Sequence, residues 1–328
     1  MNEDALIAAI AEIASSPFDR RVNLGIGDDA ALWQPSRSHR SAITSDMLVE
    51  GVDFTRDLMS LEDAGWRAMA ANASDLAAMG ARPVLATVSL GFAEADGRDD
   101  VLELYRGIAA AARASRLAIA GGDLSRAPAL TVSIAAVGEV RASNVKLRSG
   151  ARAGDVIAVT GELGASRAGL EAAKEPSLLQ GDLRSRALAA FRRPEARCDE
   201  GRFLAASRNV DAMMDSSDGL STDLDRLCAA SGLGASLDEI PVAQSANAAA
   251  RALGQDPQRF ALAGGEDFEL IVAIRPRAFK RVAAAFAARF GRTLHAVGTF
   301  RAQPGIEYLG EPLVRSGWDH FAASVTTV

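Results

Sequence analysis

Apolar residues recur at helical spacing through MNEDALIAAIAEIA and predict a first helix over residues 2–16. Ile43 to Asp46 reads as a short strand that ends at a polar turn. Ser60-Leu61-Glu62-Asp63 has the form of a capping box and opens a long alanine-rich helix running to Gly80, with Pro83 beyond it. On that helix Asn72 and Asp75 stand three residues apart and share one face. Strands at 84–91 and 130–139, with a helix near 98–116 between them, give an α+β pattern with an antiparallel sheet.

The charged, glycine-rich stretch RASNVKLRSGARAG separates this region from a second one that begins with the strand DVIAVTG. The expected domains are therefore 1–145 and 146–328. Strands near 155–160, 210–215, 234–239, 269–274 and 294–300 alternate with helical segments that include 219–231 and 276–289. These are the mixed layers of an α/β domain. Residues 174–195 are weakly patterned and read as an irregular connection.

Composition narrows the class. With 328 residues, 48% of them hydrophobic, the chain can bury a core in each of two domains. A net charge of −6 argues against nucleic acid as a partner, so an anionic substrate must be met by local cations or bound metal. The two cysteines, Cys198 and Cys228, supply neither a disulfide framework nor a thiolate metal site, and His39, His295 and His320 are far apart in sequence. No apolar run approaches the roughly 18 residues of a membrane span. The N-terminus carries acids where a secretory leader would carry bases, and a cytoplasmic protein without a membrane partner is expected.

Chemistry-bearing residues cluster where apolar runs end. Asp28 and Asp29 stand in GIGDDAAL, Asp46 closes AITSD, Asp75 lies in NASDLAAMG, Asp123 in AGGDLSR, and Asp215 and Asp218 in MMDSSDGL. Glycine, serine, threonine or asparagine accompanies nearly every one, as suits close approach of backbone to phosphate oxygens and magnesium. Each group also has an ordinary reading. A Gly-Asp pair makes a tight turn, Thr44-Ser45-Asp46 can cap a helix, and Gly264-Gly265-Glu266-Asp267 can be a bare turn. Asp215 to Gly219 closes a strand and opens a helix, where amides favour an anion but two carboxylates favour one bridged by metal.

Several alternatives are absent. No lysine follows a glycine, so there is no G-x-x-x-x-G-K-[ST] phosphate loop, and the protein kinase motifs and the G-x-S-x-G elbow are missing too. Magnesium-dependent phosphoryl transfer is the chemistry these residue types support best.

In order along the chain, GIGDDAAL, TSDMLVEGVDF, NASDLAAMGARP, AGGDLSR, LRSGARAGD, DSSDGLSTDL, AGGEDFEL and GWDHF resemble the thiamine-monophosphate kinase family, from about residue 24 to residue 321. The wider superfamily includes aminoimidazole ribonucleotide synthetase, selenophosphate synthetase and a hydrogenase maturation protein. The resemblance implies a two-domain aminoimidazole ribonucleotide synthetase-like fold. In it the N-terminal sheets of a homodimer pair into a barrel, the C-terminal domain is a layered α/β domain, and ATP lies between domains and across the dimer. It implies conversion of ATP and thiamine phosphate to ADP and thiamine diphosphate.

Carried over by position, Asp29, Thr44, Ser45, Asp46, Asp75, Asp123, Asp215 and Asp218 match the family's magnesium ligands, and Asp28 does not. Tyr105, Gly122, Asp123, Arg148 and Ser217 match its ATP contacts, and Glu266 and Trp318 its contacts to thiamine phosphate. Asp53 departs from the pattern, standing where the family has histidine at a substrate contact. No side chain is expected to act as a chemical catalyst, because the acceptor is a phosphate monoester already mostly dianionic at neutral pH. Trp318 offers a flat face to the cationic thiazolium, or anchors the C-terminus in the core. The alternatives are another ATP-dependent superfamily enzyme with a different small-molecule substrate, and a nucleotide-binding regulatory module without turnover. The lack of an N-terminal cysteine disfavours selenophosphate synthesis, and the SVTTV terminus offers no cysteine of the hydrogenase maturation kind.

Overall fold

The computed structural model describes residues 3–15, 21–26 and 30–317. The chain divides into two compact units, one built chiefly of Met1–Leu76 and Ala81–Ala142, the other of Ala77–Gly80 and Ser143–Val325.

The first unit runs α1 (Glu3–Ala14), β1 (Val22–Leu24), β2 (Leu32–Trp33), β3 (His39–Val49), α2 (Leu61–Ala78), β4 (Arg82–Phe92), α3 (Arg98–Ser115), β5 (Ala118–Arg126) and β6 (Thr131–Arg141). Strands β3, β6, β4 and β5 form its main sheet in that spatial order. The Ser60 hydroxyl accepts from the Asp63 amide at 3.1 Å and caps α2 as its sequence predicts. Helix α2 stops at Ala78, short of Gly80, which takes a φ of +69°.

The sheet is mixed, not antiparallel, because β4 and β5 run parallel. The 18-residue helix α3 carries the chain back over the sheet between them, the connection a parallel pair requires. Strand β5 itself is an addition to the predicted elements, since its two glycines and its acid read locally as a turn. A bulge beside Ala120 accommodates this segment, and a Cβ on Gly122 would lie 1.9 Å from the Val88 carbonyl.

One sheet face buries Val88, Ile134 and Ala136. Register gives the opposite face of β3 to Ile43, Ser45 and Met47, and there Ile43 is 74% and Met47 59% exposed. Helices α2 and α3 cross closely at two glycines: a Cβ on Gly65 would meet the Leu104 carbonyl and one on Gly107 the Glu62 carbonyl.

The second unit continues with β7 (Val156–Val159), α4 (Ala165–Lys174), α5 (Gly181–Arg192), α6 (Cys198–Ala205), β8 (Val210–Asp215), α7 (Leu220–Ser231), β9 (Gly234–Leu237), α8 (Gln244–Ala252), α9 (Pro257–Leu262), β10 (Leu270–Ile274), α10 (Phe279–Phe290), β11 (His295–Arg301), β12 (Gly305–Tyr308) and β13 (Glu311–Pro312). Its seven strands are ordered β13-β12-β9-β11-β7-β10-β8, antiparallel except for β12 beside β9.

Along β10 the residues alternate between two cores. Ile271 and Ala273 pack with Leu220, Leu224 and Leu227 of α7, while Leu270, Val272 and Ile274 pack with Val282 and Phe286 of α10. A strand covered on both faces reads as an unbroken apolar run, which is why LIVAI was legible. The segment expected to be irregular, 174–195, instead contains α5. Its arginines and charged first turn hide a narrow apolar stripe, Ala187, Leu188 and Phe191, that meets the core.

Candidate active site

In the first unit, β3 and α2 bring two expected residues together. The Thr44 hydroxyl donates to the Asp75 carboxylate in a short hydrogen bond. Asp46 falls two residues from Thr44, on the same face of β3. Asn72, one turn before Asp75, is fully buried and donates its Nδ2 to the Ala68 carbonyl at 2.9 Å. Its Oδ1 has no hydrogen-bond partner among the described residues.

Register separates the rest of the set. Asp46 is aligned through Ile134 and Val88 with Gly122, three strand spacings away or roughly 14 Å. Ser45 and Asp123 belong to the opposite, open face of the sheet, with Met47, Ser133 and Ser89. Tyr105 is 3% exposed on α3, and burial pushes its phenol well above the ordinary range, so little of its surface faces a ligand. Asp53 closes a local turn, its Oδ2 accepting from the Val49 amide at 2.8 Å.

In the second unit, Asp215 ends β8 almost fully buried and pairs in register with Leu270. The loop after it is held against the AGGED segment by a backbone ladder. Ser216 donates to the Glu269 carbonyl (2.8 Å), Phe268 to that of Ser216 (3.0 Å) and Glu266 to that of Ser217 (2.7 Å). Glu266 and Phe268 take left-handed φ values of 60° and 48°, which a side-chain-bearing residue holds only where its surroundings enforce them. Asp215, Ser217, Asp218 and Glu266 are thus gathered within one loop pair.

Gly317 packs on this loop so closely that a Cβ there would lie 1.8 Å from the Asp218 carbonyl. Trp318 and Asp29, like Asp28, lie outside the described residues.

Three residues outside the expected site set hold this arrangement. Asp223, fully buried in the first turn of α7, accepts the Ser217 and Asp218 amides on one oxygen (3.0 and 2.9 Å) and Arg226 on the other (2.9 Å). Burial, with Asp218 adding to it, pushes its carboxyl up to about 6. Arg226 donates the same nitrogen to Asp218. Asp267 accepts the Gly164 and Ser166 amides (2.5 and 3.0 Å) and so caps α4 from a distant part of the chain. An acid in the first turn of a predicted helix could have marked Asp223; Asp267 stood in a segment that reads as a bare turn, and its partners lie about a hundred residues away.

Arg148 is exposed on the turn Arg148–Gly150, and its carbonyl accepts from Ser231 Oγ at 2.7 Å. Ser231 is the last residue of α7 and the Asp218 loop precedes its first, so roughly the 18 Å length of that helix separates the two. Two residues before Arg148, Lys146 is buried, and its Nζ donates to the carbonyls of Ser207 (3.2 Å) and Val210 (2.6 Å) at the foot of β8.

The donor chemistry of both groups, the β3–α2 pair and the Asp215 loop, suits a hard divalent cation: carboxylates, hydroxyls, and in each group one buried oxygen lacking a partner among the described residues, Asn72 Oδ1 and Ser216 Oγ. Among the described residues, no three His, Cys, Asp or Glu side chains converge into a ready metal cage. A cavity of about 520 Å³ in the second unit, lined in part by Asp267 and Glu269, holds none of the expected residues. Its central Glu269 carboxylate is taken up by Arg197 (2.8 and 3.1 Å), Arg292 (2.6 Å) and Thr160 (2.5 Å).

Residues 27–140 match the AIR synthase related protein N-terminal domain and residues 152–309 the corresponding C-terminal domain, so the fold is that of this class. Thiamine-monophosphate kinase of Rhodopirellula baltica is 40% identical over 266 residues, 78% of this chain and 77% of the relative. The crystal structure of thiamine-monophosphate kinase from Stenotrophomonas maltophilia K279a superposes with a TM-score of 0.83 at 32% identity, covering 95% of this chain and 98% of that one. The solved structure of AaThiL complexed with AMPPCP and TMP superposes with a TM-score of 0.79 at 30% identity, with 97% coverage of each chain. The chain belongs to the thiamine-monophosphate kinase family, a family of phosphotransferases.

Proposed function

We propose that this chain transfers the terminal phosphoryl group of ATP to thiamine phosphate, giving ADP and thiamine diphosphate. The observation that carries this reading is the strand-to-helix loop at Asp215–Gly219. There a buried carboxylate, a buried hydroxyl without a partner among the described residues and the Asp218 carboxylate stand together, on a chain with 40% identity to a thiamine-monophosphate kinase.

An oxygen of the acceptor phosphate attacks the terminal phosphorus in line, and the bond to the bridging oxygen breaks with ADP as leaving group. The second pKa of a phosphate monoester, near 6, leaves this nucleophile already dianionic, so no side chain removes a proton. Repulsion between two anions is the obstacle, and positioning with electrostatic screening is what the protein supplies. Magnesium ions would neutralise and align the phosphate oxygens when bound. Their ligands would be Asp29, Thr44, Asp46 and Asp75 in the first unit and Asp215 and Asp218 in the second, while Ser45 and Asp123, on the opposite sheet face from Thr44, would not share an ion with it.

Arg148 screens nucleotide phosphate charge, its turn held by Ser231. Gly122, Asp123 and Ser217 complete the nucleotide side, with Tyr105 supporting them from within α3. Glu266 and Trp318 would contact thiamine phosphate, and Asp53 holds its own turn through the Val49 amide.

The working unit is a homodimer joined through the open face of the β3 sheet, a reading supported by the exposure of Ile43 and Met47 there. A cytoplasmic location fits two cysteines that are free thiols and the absence, among described residues, of any helix long and apolar enough to cross a membrane. The test is ADP release from magnesium ATP that depends on thiamine phosphate. ATP binding without such release sinks the kinase reading.

A further inference from the structure

We propose that Arg226 is a resident counter-cation of Asp218, which a divalent cation must displace, and that Asp223 is the carboxylate that keeps the guanidinium when it lets go. The proposal rests on reading the Asp215–Asp218 loop as part of the kinase site.

The geometry is a shared nitrogen. Arg226 Nη1 donates to Asp218 Oδ2 and, at 2.9 Å, to Asp223 Oδ1. The three side chains differ sharply in exposure: 37% for Arg226, 25% for Asp218 and none for Asp223. A fully buried carboxylate left without its cation is costly, whereas Asp218 reaches solvent and can exchange partners cheaply.

Asp223 holds more than the arginine, because its other oxygen accepts the Ser217 and Asp218 amides. The loop backbone therefore stays in place when the guanidinium leaves Asp218. What changes is one side-chain contact at a partly exposed carboxylate, a short swing about a stem anchored on α7. In the free protein Arg226 offsets the charge of Asp218 and Asp223, two acids held close together. It also competes for the oxygen that a divalent cation needs. Arg226 and Asp223 are positioning residues in this account, since neither touches substrate.

The experiment is titration of the full chain with Mn²⁺, read as loss of the free-ion electron paramagnetic resonance signal, with and without a nonhydrolysable ATP analogue. Arg226→Gln should bind Mn²⁺ roughly three- to tenfold more tightly than wild type, the size of a partly exposed ion pair. Arg226→Lys, which keeps the charge, should stay within about twofold of wild type.

Asp223→Asn should bind several-fold more weakly. Its carbonyl can still accept the two amides, but its NH₂ then faces the guanidinium and leaves it Asp218 alone. The double variant Asp223→Asn with Arg226→Gln should recover the affinity of Arg226→Gln. Folding is checked by thermal melting, and if Arg226→Gln does not fold, Asp223→Asn and Arg226→Lys decide the matter.

Unchanged or weaker binding in a folded Arg226→Gln, or tighter binding in Asp223→Asn, overturns the proposal. So does Arg226→Lys binding as tightly as the glutamine variant. Wild-type turnover with thiamine phosphate is measured separately: its absence would remove the kinase reading and leave the cation competition standing.

Discussion

The Thr44 hydroxyl on β3 donates to the carboxylate of Asp75 on α2, joining residues 31 positions apart at the helix-covered face of the first sheet. The bond fixes the carboxylate's orientation while leaving it the charge that a cation would use. Asp75→Asn should therefore lower kcat/KM by about 10²-fold or more, and Thr44→Val by about tenfold, each with a modest change in urea midpoint. Loss of the folded state in Asp75→Asn would instead assign the carboxylate to stability.

The tether at the other end of α7 predicts a different signature. Ser231 Oγ donates to the Arg148 carbonyl and accepts from the Ala151 amide at 3.3 Å, so it holds the turn that carries the arginine. Ser231→Ala should raise KM for ATP several-fold and leave kcat within about twofold, since a loosened arginine weakens binding before it affects alignment. Steady-state kinetics at saturating thiamine phosphate reads the split.

Glu139 gives a pH dependence of known sign. Burial alone would raise its carboxyl, but Arg21, the Ser36 amide and Arg82 together hold it below the ordinary value. A depressed folded pKa contributes stability above the unfolded value of about 4.3, and that contribution fades as pH falls through the folded one. Glu139→Gln should thus depress the thermal midpoint more at pH 7 than at pH 3.5. Equal depression at both would show that the charge plays no part.

The open sheet face predicts association. Met47→Glu places a charge on the exposed face of β3 and should convert the proposed dimer to monomer in sedimentation velocity, with turnover reduced. A variant that remains dimeric would move the interface elsewhere.

Asp53 separates a turn from a substrate contact. Asp53→Asn keeps an oxygen for the Val49 amide, so stability should hold, and KM for thiamine phosphate should stay within about twofold. A KM lower by tenfold or more would reveal a carboxylate that repels the substrate phosphate.

Legibility followed the range of the interactions. The capped helix at Ser60 and the unbroken strand LIVAI answered to local rules of capping and burial. Strand β5 did not, because Gly121 and Gly122 are turn formers whose extended state depends on β4 beside them. Helix α5 was hidden for a related reason: its stripe becomes apolar surface only when α4 and α8 present a face to it.

The sequence by itself determined the acid-bearing segments, the two-part organisation and, through the order of its motifs, the family. Each of these is carried by residue identity and spacing along the chain. Only the tertiary structure decided which acids meet. It joined Asp75 to Thr44, set Ser45 and Asp123 on the other sheet face, and bound Asp218 and Asp223 to one arginine. Those outcomes depend on strand register and helix packing, where a shift of one residue reverses the face a side chain occupies, and no local pattern encodes that choice.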